Sequence, residues 1–398
     1  MKAFFQNISG DKAIWAVVAL LGLFSFLPVY SASSNLVYVV GNGTTFGHLI
    51  KHAMLLFLGF GIIYGVHRIP THFFKGLSLI AMPIVLILLA FTLAQGTTID
   101  GANASRWINI PFVGGFQPSN LAAVVLMIYV ARYLSKVRDV KVTFKESFLP
   151  LWVPVFLVVA LILPANFSTS AIIFSMVLLL CFLGGYPIKY LLGIIGSGVI
   201  CLALFVLTVK AIPDLFPNRV DTWMSRIESF ANPEDTEANY QIEKAKIAIA
   251  TGGVLGKGAG KSIQKNFLPQ SSSDFIYAII VEEYGLVGGF ALMFFYLFLL
   301  FRIMVVANGS TSIFGKLLVL GVGLPIIFQA LINMAVAVEL FPVTGQNLPL
   351  VSRGGTSIWM TCLAIGIILS ASNKEKVVES NDAIIDEHNP LEILSGQL

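Results

Sequence analysis

The chain has 398 residues, of which 57% are hydrophobic and 12% are charged, and its formal net charge is +4. Soluble domains carry roughly 25% charged residues, so most of this chain has no water to face and needs a lipid bilayer as solvent. The composition excludes disordered, collagen-like and disulfide-rich secreted proteins, and the small, dispersed positive charge does not indicate nucleic acid as a partner. We therefore predict an all-α integral membrane protein.

Ten apolar segments are long enough to cross the hydrocarbon core, which takes about 20 residues of helix. In chain order they are residues 13–30, 46–66, 74–95, 117–134, 149–164, 168–185, 189–210, 274–301, 314–340 and 356–371. We predict about ten transmembrane helices in a membrane domain of residues 1–372, followed by a flexible acidic cytoplasmic tail at residues 373–398.

Lysine and arginine residues determine the predicted orientation, because positively charged short loops stay in the cytoplasm. The basic segments on the inner side are 68–75, 132–145 and 302–316. The opposite short loops, at 31–45 and 165–167, carry no lysine or arginine. Both termini are therefore expected in the cytoplasm. Residues 211–273, between the seventh and eighth helices, are expected on the outer face, since long loops are translocated regardless of charge.

The long outer loop has two helical patterns and a glycine-rich run. Val220, Trp223, Ile227 and Phe230 recur at helical spacing, which predicts an amphipathic helix on the outer membrane surface. Residues 240–250 predict a second helix, and the run TGGVLGKGAGKS follows it.

The end of that run is similar to a nucleotide-binding P-loop, but it lacks a required glycine. Leu255 occupies the position where a P-loop needs that glycine, and no predicted strand precedes the run. What remains is a flexible backbone beside Lys257, Lys261 and Lys265, which suits anionic groups such as phosphates. A basic loop facing lipid headgroups is the alternative interpretation.

Charged residues near membrane depth are costly unless they are paired or line a cavity, so each is a functional hypothesis. Arg106 and Arg353 lie in predicted outer loops, and Asp274 opens the eighth span. At 3.6 residues per turn, Glu282 lies about 80° around the helix from Asp274, whereas Glu283 faces nearly the opposite way. Glu282 is thus the residue expected to share a cavity with Asp274. From spacing alone, Asp274 is either a helix N-cap or a catalytic carboxylate.

The run from Ala248 to Gly289, together with PVTGQNLPLVSRGGTS, SRWI and FQPS, closely resembles the SEDS family (shape, elongation, division and sporulation). The resemblance covers essentially all ten spans. KSIQK before the LP motif makes the chain more similar to the division member than to the elongation member. The resemblance implies a peptidoglycan glycosyltransferase that polymerises lipid II, a disaccharide peptide on undecaprenyl pyrophosphate, into septal glycan strands. The family's essential acidic residue falls on Asp274.

The resemblance also implies roles for the polar residues. Asp274 is expected to act as the general base that activates the acceptor sugar hydroxyl. The candidates for binding substrate or pyrophosphate are Arg106, Lys257, Lys261, Arg353 and Glu282. A divalent cation, Mg²⁺ or Mn²⁺, is a candidate cofactor beside the pyrophosphate, and its ligands are not indicated.

The resemblance implies partners and a location as well. The expected partners are lipid II and the growing lipid-linked strand, a class B penicillin-binding transpeptidase, other division proteins and membrane lipid. The expected location is the cytoplasmic (inner) membrane at the division septum, as a multi-pass protein.

Several positions depart from the family's usual motifs. Gln270 and Asn166 stand where the family has acids, Asn120 and Ala123 replace an acid and a lysine, and Arg353 replaces an aromatic residue. These changes affect contacts to the acceptor and the pyrophosphate, whereas the expected base is kept.

Other functions are compatible with ten spans. A flippase or transporter of lipid-linked precursors is one alternative, although we find no clear repeat between the two halves. An elongation-type polymerase is a second, and a non-enzymatic division scaffold, in which Asp274 is dispensable, is a third.

Overall fold

The computed structural model describes residues 9–38, 41, 43–95, 98–99, 102–103, 107–110, 114–211 and 237–373. Three sequence predictions lie outside the described residues: the amphipathic helix around Trp223, the site residue Arg106, and the acidic tail beyond residue 373.

Helices lie at all ten of the predicted apolar segments. Those before the long loop are α1 (Lys12–Tyr38), α2 (Thr45–Val66), α3 (Thr71–Gln95), α4 (Pro118–Val137), α5 (Phe144–Ser147), a π-helical turn (Phe148–Trp152), α6 (Val153–Ile162), α7 (Phe167–Leu183) and α8 (Ile188–Ala211). Those after it are α9 (Glu237–Gly252), a 3₁₀ turn (Gln264–Asn266), α10 (Ile276–Gly309), α11 (Ile313–Ala337) and α12 (Ser357–Ser372). Helix α9 confirms the second helix predicted in the long loop.

Within the described residues, seven helical segments are long and apolar enough to cross a membrane, and three further apolar helices are shorter. The count of ten spans and the outer position of the loop stay predictions. Large apolar side chains such as Phe57, 80% exposed, and Leu23, 68% exposed, face outward, as expected for a surface in contact with lipid.

The segment before α4 adds strands that the all-α prediction did not contain. Strands β1 (Thr98–Ile99) and β2 (Ala102–Asn103) form one antiparallel pair, and β3 (Ile108–Ile110) and β4 (Gly114–Phe116) form another. Such short pairs satisfy main-chain groups locally where a loop turns back on itself.

Helix α10 is broken at Gly285, whose φ of 71° is not helical. The break frees main-chain groups, and the loop after α9 pairs with them. Four hydrogen bonds join the two segments: Lys257 N–H to Glu282 O (3.0 Å), Gly258 N–H to Glu283 O (2.9 Å), Leu286 N–H to Gly253 O (2.9 Å) and Val287 N–H to Val254 O (3.2 Å). We call residues 252–258 and 281–287, joined in this way, the backbone clasp.

The backbone clasp requires glycine because the two chains approach too closely for side chains. A Cβ at Gly256 would overlap the carbonyl group of Glu283, and a Cβ at Gly285 would overlap that of Val254. Both residues also have positive φ, which disfavours any residue with a Cβ. The glycine-rich run is therefore explained by packing against a broken helix.

Replacing Gly256 with alanine should open the backbone clasp. Overpacking of this kind costs about 1–3 kcal/mol, so we expect the melting temperature in detergent to fall by on the order of 5 °C. Gly260→Ala is the matched control, because Gly260 also has positive φ but open space around its Cβ position. If the two variants lose the same amount of melting temperature, the positive φ and not the close approach of the two chains explains why position 256 requires glycine.

Candidate active site

Asp274 lies in the turn immediately before α10, and the structure does not make it the helix cap. The N-cap residue of α10 is Phe275, which makes no side-chain cap hydrogen bond. Both main-chain polar groups of Asp274 are hydrogen-bonded: its N–H donates to Gln270 O (3.1 Å), and its carbonyl accepts from Asn333 Nδ2 (2.7 Å). The structure thus assigns Phe275 as the N-cap residue of α10, and the role of the Asp274 side chain stays a prediction.

Asn333 joins Asp274 to the loop that follows α11. This buried side chain on α11 donates through Nδ2 to Asp274 O and to Gln346 O, each at 2.7 Å. A Cβ at Gly345 would lie 3.5 Å from Asp274 Oδ2, so the carboxylate faces the main chain at Gly345. Gln346 in turn donates from Nε2 to Thr169 Oγ1 (2.9 Å) at the start of α7. Three elements thus meet at Asp274.

The Arg353 segment is attached to the same turn. Arg353 N–H donates to Ser272 O (2.9 Å), and Ser352 Oγ donates to Ser273 O (2.6 Å). The structure therefore attaches the Arg353 segment to the two residues that precede Asp274, although Arg353 and Asp274 are 79 positions apart in sequence. Burial lowers the pKa of the Arg353 guanidinium from its ordinary value, which is high enough that the group stays protonated at neutral pH.

Residues on the β3–β4 side reach the same loop. Thr356 Oγ1 donates to Gly115 O (3.1 Å), and the ring of Trp107 covers Gly115 so closely that a Cβ there would lie 2.8 Å from it. Arg106 directly precedes Trp107 and lies outside the described residues. At the neighbouring end of α7, Asn166 caps the helix by accepting from Thr169 N–H (3.1 Å), so this replacement of a family acid has a structural role.

Glu282 lies fully buried beneath the backbone clasp and forms an ion pair with Lys257, Nζ to Oε1 2.7 Å. Its other donors are Ser262 Oγ, Ile263 N–H (3.1 Å), Gln264 N–H (3.2 Å) and Thr251 Oγ1 (3.4 Å). A buried carboxylate is tolerated only with such compensation. Glu282 thus anchors the glycine-rich loop to α10.

Glu283 connects the same region to α1. It is buried and accepts from Ser31 Oγ and, at 3.4 Å, from Ser262 N–H. Lys265 Nζ donates to Ser31 Oγ (3.1 Å) and to Gly260 O (2.7 Å), and these bonds join the glycine-rich loop to α1. Lys261 differs from Lys257, since it is exposed and forms no ion pair within the part of the chain that the structure describes.

Among the described residues, no three His, Cys, Asp or Glu side chains lie close enough together to bind a metal ion. These residues do not fit a protein-held cation, so we assign no step to one. The involvement of Mg²⁺ or Mn²⁺ stays a prediction.

Sequence reasoning missed Asn333, Gln346 and Ser31. The available signal for Asn333 was an amide within an otherwise apolar helix, a position that is costly without hydrogen-bond partners. Ser31 gave no such signal, because a serine hydroxyl in an apolar helix can donate its hydrogen bond to a carbonyl group of the preceding turn.

Comparisons with known proteins agree with this architecture. Residues 11–377 match the FtsW, RodA and SpoVE family, described as cell cycle proteins. The chain is 31% identical over 377 residues to the probable peptidoglycan glycosyltransferase FtsW of Coxiella burnetii, covering 92% of this chain and 97% of that protein. It is 33% identical over 359 residues to the Nitrosococcus halophilus protein of the same name, covering 89% of each.

Two solved structures share the fold. A chain of a peptidoglycan synthase complex that coordinates polymerisation and crosslinking gives a TM-score of 0.70 at 24% identity, covering 92% of this chain and 98% of that one. The rod shape determining protein RodA of Thermus thermophilus gives 0.65 at 23% identity, covering 91% and 96%.

Removing one partner of the Lys257–Glu282 pair should destabilise the protein more than removing both. Lys257→Met leaves a buried carboxylate without its cation, a change that costs about 3–5 kcal/mol. Adding Glu282→Gln to that variant should restore much of the melting temperature, since the uncompensated charge is gone. Lys261→Met, which removes an exposed lysine from the same loop, is the control and should unfold like the unmodified protein. A Lys257→Met variant as stable as that control would contradict an anchoring role for the pair.

Proposed function

We propose a function from one premise: the chain belongs to the FtsW, RodA and SpoVE family of cell cycle proteins. The protein is a membrane-embedded peptidoglycan glycosyltransferase of cell division, the activity for which its relatives at about 31% identity are named. Its substrate is lipid II, which it polymerises into glycan strands. The observation that carries the proposal is Asp274, an acid held where the turn before α10, the Gly345 loop and the Arg353 segment meet.

Asp274 is the general base in the proposed reaction. Its carboxylate accepts the proton of the acceptor GlcNAc 4-hydroxyl as that oxygen attacks the anomeric carbon of the donor MurNAc. The bond from the anomeric carbon to the pyrophosphate oxygen breaks, and undecaprenyl pyrophosphate leaves with the bonding electrons. The configuration at that carbon inverts. One carboxylate suffices, because pyrophosphate leaves as an anion without being protonated.

Positive charge stabilises the departing pyrophosphate. Arg353 is the first candidate, because its segment is hydrogen-bonded to the turn that carries Asp274. Lys261 and Arg106 are further candidates from the outer loops. The ammonium group of Lys257 is paired with Glu282, so most of its charge is already compensated.

The relatives and the fold also suggest where and with what the protein works. The synthase complex of the same fold couples polymerisation to crosslinking, which supports a class B penicillin-binding transpeptidase as partner. We place the protein in the cytoplasmic membrane at the septum, with both termini in the cytoplasm and the Asp274 site on the outer face.

Asp274→Asn should abolish polymerisation while leaving the fold intact. The hydrogen bonds of Asp274 to Gln270 and Asn333 use its main chain, which the substitution keeps. Loss of a general base typically lowers the rate about a hundredfold to ten-thousandfold. The measurement is glycan chain formation from purified lipid II in detergent.

Asp139→Asn serves as the matched control for that experiment, because Asp139 is exposed at the far end of α4 from Gly115. This control should polymerise like the unmodified protein. A polymerisation rate of the Asp274→Asn variant within about threefold of the parent would be a far smaller loss than that of a missing base. In that case Asp274 is not the base, and the flippase and scaffold alternatives have to be considered again.

Arg353→Ala should weaken catalysis without removing the base. We expect polymerisation to slow by about tenfold or more, since charge-assisted hydrogen bonds to phosphate are strong. Arg353→Lys, which keeps the charge, should recover part of the rate. An unchanged rate and unchanged apparent affinity for lipid II in the alanine variant would remove Arg353 from the site.

A further inference from the structure

Two cavities flank the loop between α4 and α5, on the face opposite Asp274. One has a volume of about 470 Å³ and reaches α8, and the other has about 460 Å³ and reaches the π-helical turn. They share the loop residues Val140, Lys141 and Val142 as a common wall. The β3–β4 side holds the start of α4, and its 20 residues place this loop about 30 Å away, the thickness of a hydrocarbon core.

The lining of both cavities is strongly basic. The cations are Arg138, Lys141 and Lys189 in the first cavity and Arg132, Lys136 and Lys141 in the second. None of these five side chains forms an ion pair within the described ranges. Like charges held together without counter-ions are unfavourable unless an anion compensates them.

One carboxylate lines the second cavity, and the local structure already uses it. Glu146 Oε2 accepts from Thr143 N–H (2.9 Å) and from Thr143 Oγ1 (2.8 Å) in a capping box at the start of α5. Glu146 keeps its negative charge, but one carboxylate against five cations leaves the two cavities with an excess of positive charge. The ligand that fits is an anion.

The surroundings indicate that the anion carries acyl chains. Beside the cavities, Val140 is 64% exposed, Leu149 is 72% exposed and Ile188 is 57% exposed. Tyr190, which lines the first cavity, holds the ammonium of Lys189 over its ring at 4.9 Å. Basic pockets between helix ends that open onto an apolar surface are suited to the phosphate of a lipid headgroup.

We propose that these two cavities form a binding site for the phosphate headgroup of an anionic glycerophospholipid. Lys141 stands between the cavities and contacts the phosphate from either side, while Arg138 and Lys189 complete the first cavity. Arginine and lysine together suit a phosphate, because the guanidinium binds its oxygens in a fork and the ammonium adds a point charge. The acyl chains lie along the exposed apolar residues of the π-helical turn and of α8. The site is separate from the Asp274 site by the length of α4.

Native mass spectrometry of the full chain tests the proposal. The protein is released from nanodiscs that contain equal amounts of phosphatidylglycerol and phosphatidylcholine, and the retained lipids are counted. The unmodified chain should keep phosphatidylglycerol in preference. The variant Arg138→Gln, Lys141→Gln and Lys189→Gln should retain at least about tenfold less of it, because each cation contributes separately to headgroup attraction.

The control removes three exposed lysines from the same face outside the cavities: Lys12→Gln, Lys145→Gln and Lys316→Gln. It should retain phosphatidylglycerol like the unmodified chain. Equal loss in both triple variants would overturn the site and leave only a general attraction of a basic face. The single variant Lys141→Gln should lose part of the lipid and keeps the test decisive if the triple variant fails to fold.

A third arm distinguishes the source of the phosphate. Undecaprenyl phosphate replaces phosphatidylglycerol at the same mole fraction, and we expect weaker retention of it. Retention of undecaprenyl phosphate instead of phosphatidylglycerol would overturn the assignment to a glycerophospholipid.

Discussion

The structure depends on one constraint, which is that polar main-chain groups freed inside a membrane helix must find partners without water. Gly285 breaks α10, and the loop after α9 supplies the missing donors and acceptors through the backbone clasp. The ion pair of Lys257 with Glu282 fixes the side chains at the same place. The clasp therefore holds the long loop against the helix that Asp274 precedes.

The candidate site is positioned by this arrangement. Asp274 directly precedes Phe275, the N-cap residue of α10, so the position of Asp274 follows from where the helix begins. On its other side, Asn333 fixes both the turn of Asp274 and the loop of Gln346 from a third element, α11. Contacts from two other elements therefore fix the main-chain position of Asp274, the residue proposed as general base.

The two ends of the bundle differ in a way that suits a membrane enzyme working on lipid-linked sugars. Around Asp274, short strands, turns and amide side chains meet, and their hydrogen bonds build a polar face on an apolar body. At the other end, short loops carry cations that form no ion pair with any described residue, beside exposed apolar residues such as Val140. The proposed catalytic site and the proposed headgroup site thus lie on opposite faces, separated by about the thickness of a hydrocarbon core.

The sequence by itself determined the positions of the apolar helices, because hydrophobic length is a local property that one segment carries alone. It also singled out Asp274 and the glycine-rich run, through the resemblance of their motifs. Only the tertiary structure decided the pairing of Lys257 with Glu282 and the convergence of Asn333 on Asp274, since these contacts join residues far apart in the chain. Side-chain partners at such separations depend on how the helices pack, and hydrophobic periodicity does not encode that packing.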